Sequence, residues 1–184
     1  EGSAVPDLNR WSAPLKEHQH ANLYRFGNRF TLHPALSQTQ WYGRGPGETT
    51  PDRKSTAHFG RYNARVEELF TLYARPQHNG LRTDVHEVSF QTKSGAGLRF
   101  SAAQPFHFSA SHHPQEVLDA GPDKRVTQSH VRLLEPKAEV YVHIDGFHSG
   151  VGCVNSWGAL PRSEYQLPFR DYGFSYRLEP LFGG

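Results

Sequence analysis

The sequence predicts an all-β protein of antiparallel strands. Over most of the chain hydrophobic residues alternate with polar ones, which is the period of a strand with one buried face. Turn-forming segments separate these runs, as at residues 79–80 and 94–97. The only convincing helical pattern covers residues 114–120, too short for the crossover helices of a parallel sheet. Many short strands at this spacing are typical of an antiparallel sandwich.

The strands follow one another as separate runs of alternation. In residues 23–32 the even positions are apolar except for Asn28, so one face of this strand is expected to be buried. Residues 81–90 change phase, and a β-bulge near His86 and Glu87 would explain the change because one extra residue exchanges the two faces. The remaining runs are residues 98–100, 106–110, 140–144 and 172–178.

The helical pattern and one further turn complete the predicted elements. Pro114 suits the first position of a short helix, from which Val117 and Leu118 would point inward. The dipeptide Asp145-Gly146 has the composition of a tight turn and is expected to end the strand before it.

The length of 184 residues fits one domain with its own hydrophobic core. Residues 1–22 show no periodicity and are predicted to be a tail or connector, and residues 23–184 are predicted to form the sandwich. The chain begins without the charged and apolar segments of a secretion signal and has no methionine. We therefore expect an excerpt of a longer cytoplasmic protein.

Composition excludes several classes of partner and site. One cysteine cannot form an internal disulfide or a four-thiolate zinc site. A net charge of +2 with mixed signs is not the footprint of a nucleic-acid-binding protein. No run approaches the roughly 18 apolar residues of a membrane-spanning helix. We expect no nucleic-acid partner and no membrane partner.

A pair of acidic residues would indicate a glycosidase, because these enzymes use two carboxylates, about 5–5.5 Å apart in retaining enzymes and about 6.5–9.5 Å apart in inverting ones. The candidates are Asp84 with Glu87, Glu67 with Glu68, and Asp145 with a distant partner. Adjacent glutamates are typical of a solvated face. In a regular strand Asp84 and Glu87 would lie on opposite faces. We expect no complete acid–base pair, so the chain alone should be inactive.

Histidine and cysteine provide weaker candidates. None of the 12 histidines shows the spacing of a known zinc motif. Asp145 and His148 could bind a metal together, although an aspartate beside Gly146 more commonly closes a turn. Cys153 lies among glycine and valine residues and is expected to be a small buried residue rather than a nucleophile. No metal site is expected from this chain.

Aromatic residues are the most informative group, at 12% of the chain with three tryptophans. A sugar ring presents apolar C–H faces that can lie flat on an indole, so a tryptophan presented by a loop is a candidate sugar contact. Trp157 lies in a glycine-rich loop with polar neighbours, and the residues alone favour core packing and sugar stacking equally. For Trp41 a core position is favoured.

Four segments resemble the C-terminal domain of large bacterial β-galactosidases. Residues 41–53 read WYGRGPGETTPDR and match the family pattern W-[FY]-G-x-G-P-x-E-x-x-P-D-R. Three later segments follow in the family's order: residues 75–84 (RPQHNGLRTD), 105–110 (PFHFSA), and 142–152 (VHIDGFHSGVG) with Ser156-Trp157 after them. Together they cover about residues 24–180.

This resemblance implies the retaining, lactose-cleaving enzymes of glycoside hydrolase family 2. The chain would be the later part of their last domain, a non-catalytic antiparallel super-sandwich similar to galactose mutarotase, here in partial or truncated form. The family's two catalytic glutamates and its magnesium and sodium sites lie in or beside a central barrel domain whose motifs are absent here. The resemblance thus implies no catalytic residue, metal ligand or cofactor in this chain, and an oligomeric parent enzyme that binds magnesium and sodium.

One functional residue carries over. In many members of the family a tryptophan in the penultimate loop reaches the mouth of the active site and stacks on the sugar or aglycone. Matching residues 150–157 to that loop assigns the role to Trp157. Acidic residues precede this tryptophan in some relatives, whereas Cys153-Val154-Asn155 precede it here. The implied partners are a β-galactoside or other galactose-containing sugar and the other domains of the same enzyme.

Two other functions stay open at this point. The chain could be an independent carbohydrate-binding sandwich, which binding of free galactose by the chain itself would favour. It could also be an aldose 1-epimerase-like enzyme with a histidine and a glutamate in a cleft, which catalysed mutarotation would favour.

Overall fold

The computed structural model of the protein describes residues 3–6, 22–74, 77–118, 130–152 and 160–184. In these ranges the chain is mainly antiparallel β-sheet with little helix, which confirms the predicted all-β class. The strands are β1 (Ser3–Pro6), β2 (Asn22–Leu32), β3 (Gln38–Gly45), β4 (His58–Arg65), β5 (Arg82–Gln91), β6 (Gly97–Ser111), β7 (Val140–His148), β8 (Leu167–Pro168) and β9 (Arg177–Leu181). The helical segments are α1 (Gln115–Leu118) and the 3₁₀ turns η1 (Val66–Leu69), η2 (Val131–Leu133) and η3 (Ser163–Tyr165).

The nine described strands form one sheet in the order β1-β2-β7-β6-β5-β3-β4, with β8 paired to β2 and β9 paired to β6. Strand β6 organises this sheet because it is long enough to have different neighbours along its length. Its first part lies between β5 and β9, and its second part lies between β5 and β7. The two alternating runs predicted at residues 98–100 and 106–110 are therefore one strand.

The core lies on one face of the sheet, where alternate side chains of neighbouring strands meet. Phe108 of β6 pairs with Ile144 of β7, and both side chains are fully buried. Trp41 of β3 is only 3% exposed, stacks on Tyr62 and meets the ring of Phe108 edge to face. The prediction of a core position for Trp41 is confirmed. Burial of such large side chains is the main term that stabilises a sheet of this size.

The predicted bulge in β5 is confirmed. The pairing of β5 with β6 shifts register on both sides of Val85, and Asp84 adopts a positive φ of 54°. Val85, Val88 and Phe90 are all fully buried. In a regular strand Val85 would lie on the face opposite Val88 and Phe90, and the shift in register removes this conflict.

The expected turn at Asp145-Gly146 is wrong, because both residues lie inside β7. The register between β2 and β7 shifts there: Phe26 pairs with Phe147 and Gly27 pairs with Asp145, which leaves Gly146 as the extra residue. A bulge and a turn favour glycine for the same reason, its freedom from a Cβ, and the sequence pattern does not separate the two.

The last predicted strand begins later than expected. Alternation starts at Tyr172, but β9 begins at Arg177. Phe174 and Tyr176 are half-buried and their neighbours are exposed, so the alternation reflects side-chain packing of an extended segment outside the strands. Phe174 closes over Gly146, and the Tyr176 hydroxyl accepts a hydrogen bond from Asn28.

The predicted helix is present as the single turn α1, with Leu118 buried, and residues 119–120 lie outside the described part. Residues 1–22, predicted to be a tail or connector, include strand β1, which pairs with β2. The domain boundary at residue 22 stays a prediction. Among the described residues, no helix has the length and apolar character needed to cross a membrane.

Candidate functional site

Trp157, the one substrate-binding residue inferred from sequence, lies outside the described residues, as does Cys153. The structure describes the chain up to Gly152, just before the segment that contains them. The site can therefore be built from the residues that hold the end of β7 and the four residues after it.

The end of β7 is held by backbone hydrogen bonds to two neighbouring elements. The Ser149 amide donates to the Tyr24 carbonyl of β2, and the Gly150 amide donates to the Tyr165 carbonyl of η3, both at 2.8 Å. The Ser149 hydroxyl is buried and donates to the Gly150 carbonyl at 2.9 Å. Residues 149–150 are thus fixed from both sides.

Asp52 holds the next two residues. Its carboxylate accepts hydrogen bonds from the amides of Val151 and Gly152, at 3.2 and 2.8 Å. Asp52 belongs to the family-like segment at residues 41–53, and its two donors belong to the one at residues 142–152. The fold therefore brings the first and last of these segments into direct contact.

The second family-like segment joins the first through Glu48. One oxygen of Glu48 accepts a hydrogen bond from the Gly80 amide at 2.6 Å, and the other accepts from the Tyr73 hydroxyl. Burial and the hydrogen bond to Glu48 raise the pKa of Tyr73 to about 12, so its hydroxyl stays protonated. Arg82 lies beneath the ring of Trp41, with its Cζ 5.6 Å from the ring centroid.

A buried ion pair lies on the sheet face opposite the core. The Nη2 atom of Arg25 in β2 is 3.1 Å from Oδ2 of Asp145 in β7, and the two side chains are 4% and 1% exposed. Gly27 leaves the space for this approach, because a Cβ there would overlap Ile144 and Asp145. The close approach of the two strands at this ion pair therefore requires glycine at position 27.

Histidines surround this pair. His78, from the second family-like segment, has its Nε2 atom 2.6 Å from Arg25 Nη2, so the guanidinium donates and this nitrogen must be unprotonated. The buried ring of His148 lies edge to face with Tyr24 and also meets His78. His107, from the third segment, has its ring centroid 6.3 Å from that of His148. All four family-like segments thus converge on one region.

Burial dominates the electrostatics of this histidine cluster. It lowers the pKa of His107 to about 4, with further lowering from the positive charges of Lys54 and Arg25. It also places the pKa values of His78, His143 and His148 well below the ordinary value, and Arg25 adds to each effect. At neutral pH these four imidazoles are uncharged.

The pKa of Asp145 is shifted in the opposite direction to the pKa values of the histidines. Burial raises its pKa to about 6, although the positive charge of Arg25 acts against this effect. At neutral pH the carboxyl is ionised and neutralises the buried guanidinium. The pair is closed to solvent, so it orders the strands around the loop and does not form an open acid–base site.

The other acidic candidates are also engaged by cations. Burial would raise the pKa of Asp84, but hydrogen bonds from Lys54 and Arg44, each 2.6 Å, outweigh it and hold the pKa below its usual value. Glu87 is paired instead with Arg61 at 3.9 Å. Asp84 and Glu87, a candidate acid–base pair in the sequence, therefore bind different cations.

Glu67 and Glu68 behave as expected for a solvated face. Both are exposed and pair with Arg65, and Glu68 also accepts a hydrogen bond from the Arg65 amide at the start of η1. Across the described ranges, no three histidine, cysteine, aspartate or glutamate side chains are grouped so that they could hold a metal ion.

Arg25 and Asp52 are the site residues that sequence patterns did not single out. Arg25 occupies a polar position of an alternating strand, where an exposed side chain is expected. Asp52 belongs to the family-like segment at residues 41–53, so the sequence did mark it as part of a motif. Motif membership does not reveal that its hydrogen-bond partner lies 100 residues later in the chain.

Comparison with known proteins identifies a family and several relatives of this chain. The protein family described as the β-galactosidase small chain matches residues 7–178. A β-galactosidase of Vibrio cholerae is 35% identical over 156 residues, which is 85% of this chain and 14% of the relative. Those of Leuconostoc mesenteroides and Pseudoalteromonas haloplanktis are 35% and 36% identical, over 83% and 77% of this chain.

The chain spans about 14% of the length of the first two of these relatives. The family match nevertheless covers nearly the whole chain and includes every residue of the clustered site described above. The chain therefore belongs to the β-galactosidase small-chain family.

Proposed function

We propose that this chain is a non-catalytic domain of a larger cytoplasmic β-galactosidase that hydrolyses terminal β-D-galactosides such as lactose. The catalytic carboxylates of this retaining, family 2 enzyme lie in another domain, and this domain supplies Trp157 to the mouth of the active site. The observation that carries the proposal is the family match over residues 7–178, combined with a span of only 14% of the matched β-galactosidases.

The described contacts support this assignment of roles. A supporting domain needs a rigid base under the loop it presents, and residues 149–152 are held by β2, η3 and Asp52. The acidic side chains at this base are neutralised by arginine or used as acceptors of backbone hydrogen bonds. The magnesium and sodium implied for the parent enzyme would be bound in or beside its catalytic domain. The described residues of this chain include no group of three side chains that could hold a metal ion.

The chain by itself is expected to show no β-galactosidase activity. Glycoside hydrolysis needs one carboxylic acid and one carboxylate at a defined separation, and Asp84 and Asp145 are each bound to a cation. The measurement is turnover of a chromogenic β-galactoside by highly purified chain. Turnover that disappears when an acidic residue of this chain is replaced would contradict the prediction.

In the complete enzyme, Trp157→Ala is expected to weaken binding of glucose at the aglycone site by about 1–2 kcal/mol. This is the typical contribution of a good aromatic contact together with its buried area. Inhibition by glucose and transfer of galactose to glucose should both suffer more than hydrolysis of a small activated galactoside. The melting temperature should change little, because a presented side chain contributes little to the core.

Trp41→Phe provides the matched control in the same chain. Trp41 is a core residue that stacks on Tyr62, so this substitution should lower the melting temperature and leave glucose inhibition unchanged. If Trp157→Ala instead lowers stability strongly with unchanged glucose inhibition, Trp157 is a core residue and the proposed stacking role is wrong.

A further inference from the structure

Four polar side chains are cross-strand neighbours on the sheet face opposite the core. Arg25 of β2 pairs with His148 of β7, and the Arg25 guanidinium reaches Asp145 of the same strand. Asp145 in turn pairs with His107 of β6. Paired residues of neighbouring strands share a face and lie close together, so the four side chains meet. Arg25, His107, Asp145 and His148 form the Arg25 cluster.

The guanidinium of Arg25 has N–H groups that no protein atom accepts. The side chain is 4% exposed, and its Nη2 atom lies 2.6 Å from His78 Nε2 and 3.1 Å from Asp145 Oδ2. Its Nε and Nη1 atoms carry the remaining N–H groups, and both are closed to solvent without a hydrogen-bond partner in the described structure. Buried donors are almost always paired in native proteins, so these N–H groups require an acceptor.

Acceptors that lack a donor lie in the same cluster. Both carboxylate oxygens of Asp145 are closed to solvent and have no hydrogen-bond partner, although one of them forms the ion pair with Arg25. His148 Nδ1 lies 2.6 Å from the Ser149 carbonyl oxygen, so Nδ1 carries the ring proton and donates it. In the uncharged ring, Nε2 is then an acceptor, and it is also buried without a partner. The same holds for Nδ1 of His107.

These donors and acceptors are complementary but do not bond to one another directly. A molecule that both accepts and donates hydrogen bonds can connect them, and it must be small because the surrounding side chains are almost fully buried. It must also be neutral, since Arg25 and Asp145 balance each other in charge and burial keeps the histidines uncharged. Water meets all three requirements, and a buried water typically makes about three hydrogen bonds to otherwise unpaired polar groups.

We propose that the Arg25 cluster is a binding site for ordered water, which accepts hydrogen bonds from Arg25 and donates hydrogen bonds to Asp145 and His148. Six unpartnered atoms of the cluster, at about three hydrogen bonds per water, correspond to about two molecules. The bound water links β2, β6 and β7 across the sheet. It also holds the ring of His148, whose other nitrogen binds Ser149 after the end of β7.

This site goes beyond the proposed function and does not depend on it. All of its residues lie in β2, β6 and β7, and none of its contacts involves Trp157. A failure of the stacking role of Trp157 would therefore leave the water site intact.

A high-resolution crystal structure of this chain is the first test. We expect water within hydrogen-bonding distance of Arg25 Nε or Nη1 and also of Asp145 or His148 Nε2. Direct hydrogen bonds that pair these side chains with no water between them would overturn the proposal. Crystals grown in bromide should show no anomalous signal at the cluster, and a bromide ion there would overturn the assignment of a neutral ligand.

Oxygen-17 relaxation dispersion provides a second test, because it counts long-lived water molecules in solution. The double variant Arg25→Met with Asp145→Leu removes the charged groups of the cluster and should lose about two such waters relative to wild type. Asp171→Asn, at an exposed position, is the matched control and should keep the wild-type number. An equal number in wild type and the folded double variant would overturn the proposal. If the double variant does not fold, the wild-type crystal structure decides the question.

Discussion

Asp145→Asn is expected to lower the free energy of unfolding of this chain by about 3–5 kcal/mol at pH 8, because it leaves a buried guanidinium without its counter-ion. Arg25 is almost fully buried, and its Nε and Nη1 atoms have no other hydrogen-bond partner in the described structure. At pH 8 the carboxyl is ionised in the wild-type protein, since its pKa is raised only to about 6. The measurement is the free energy of unfolding from urea denaturation.

A double variant separates loss of charge balance from loss of packing. Arg25→Met with Asp145→Leu replaces the pair by apolar side chains of similar size and should be more stable than Asp145→Asn, since neither partner is left charged. Asp171→Asn, at an exposed position, serves as the matched control and should cost less than about 0.5 kcal/mol. A loss below about 1 kcal/mol for Asp145→Asn would show that the ion pair contributes little.

Stability of this chain is expected to fall steeply as the pH is lowered from 7.5 to 5, because four histidines are held uncharged in the folded state. The unfolded chain binds protons below the ordinary histidine pKa of 6.5, whereas folded His107 binds one only near pH 4. Within this window the unfolded chain holds more protons, so acid favours unfolding. For His107, whose ring is half-buried, the effect at pH 5 is at most about 2 kcal/mol.

The other titrating groups decide the net slope. Burial lowers the pKa of His78, His143 and His148 in the same direction, and each adds to the loss of stability below pH 6.5. Asp145 acts against them between pH 3.8 and about 6, where its folded form holds more protons than its unfolded form. The loss of stability from His107 and these three histidines is therefore larger than the gain from Asp145. The free energy of unfolding should fall as the pH is lowered.

Urea denaturation at pH 7.5, 6.5, 5.5 and 5.0 measures this effect. His148→Gln removes one titrating ring and keeps a polar side chain, so it should flatten the dependence of unfolding free energy on pH. His58→Gln changes an exposed histidine of β4 and should leave the slope unchanged. A wild-type midpoint that is constant from pH 7.5 to 5.0 would contradict the assignment of neutral histidines.

The sequence alone determined the strand pattern and the family. Alternation located β2, β6 and β7, and the change of phase in residues 81–90 located the bulge in β5. These features are local, since one face of a strand is buried wherever its side chains repeat with a period of two. The four ordered motifs likewise required no coordinates, and the family match over residues 7–178 bears out the resemblance.

Only the tertiary structure decided how these segments meet. Residues 172–176 alternate like a strand but lie outside β9, and Asp145-Gly146 has turn composition but forms a bulge within β7. In both cases the local pattern fits two conformations, and the neighbouring strand selects one of them. The partnerships of Arg25 with Asp145 and of Asp52 with Gly152 join residues about 100 or more positions apart. Charge and spacing along a chain do not specify such pairs, because the register between strands sets which side chains come within hydrogen-bonding distance.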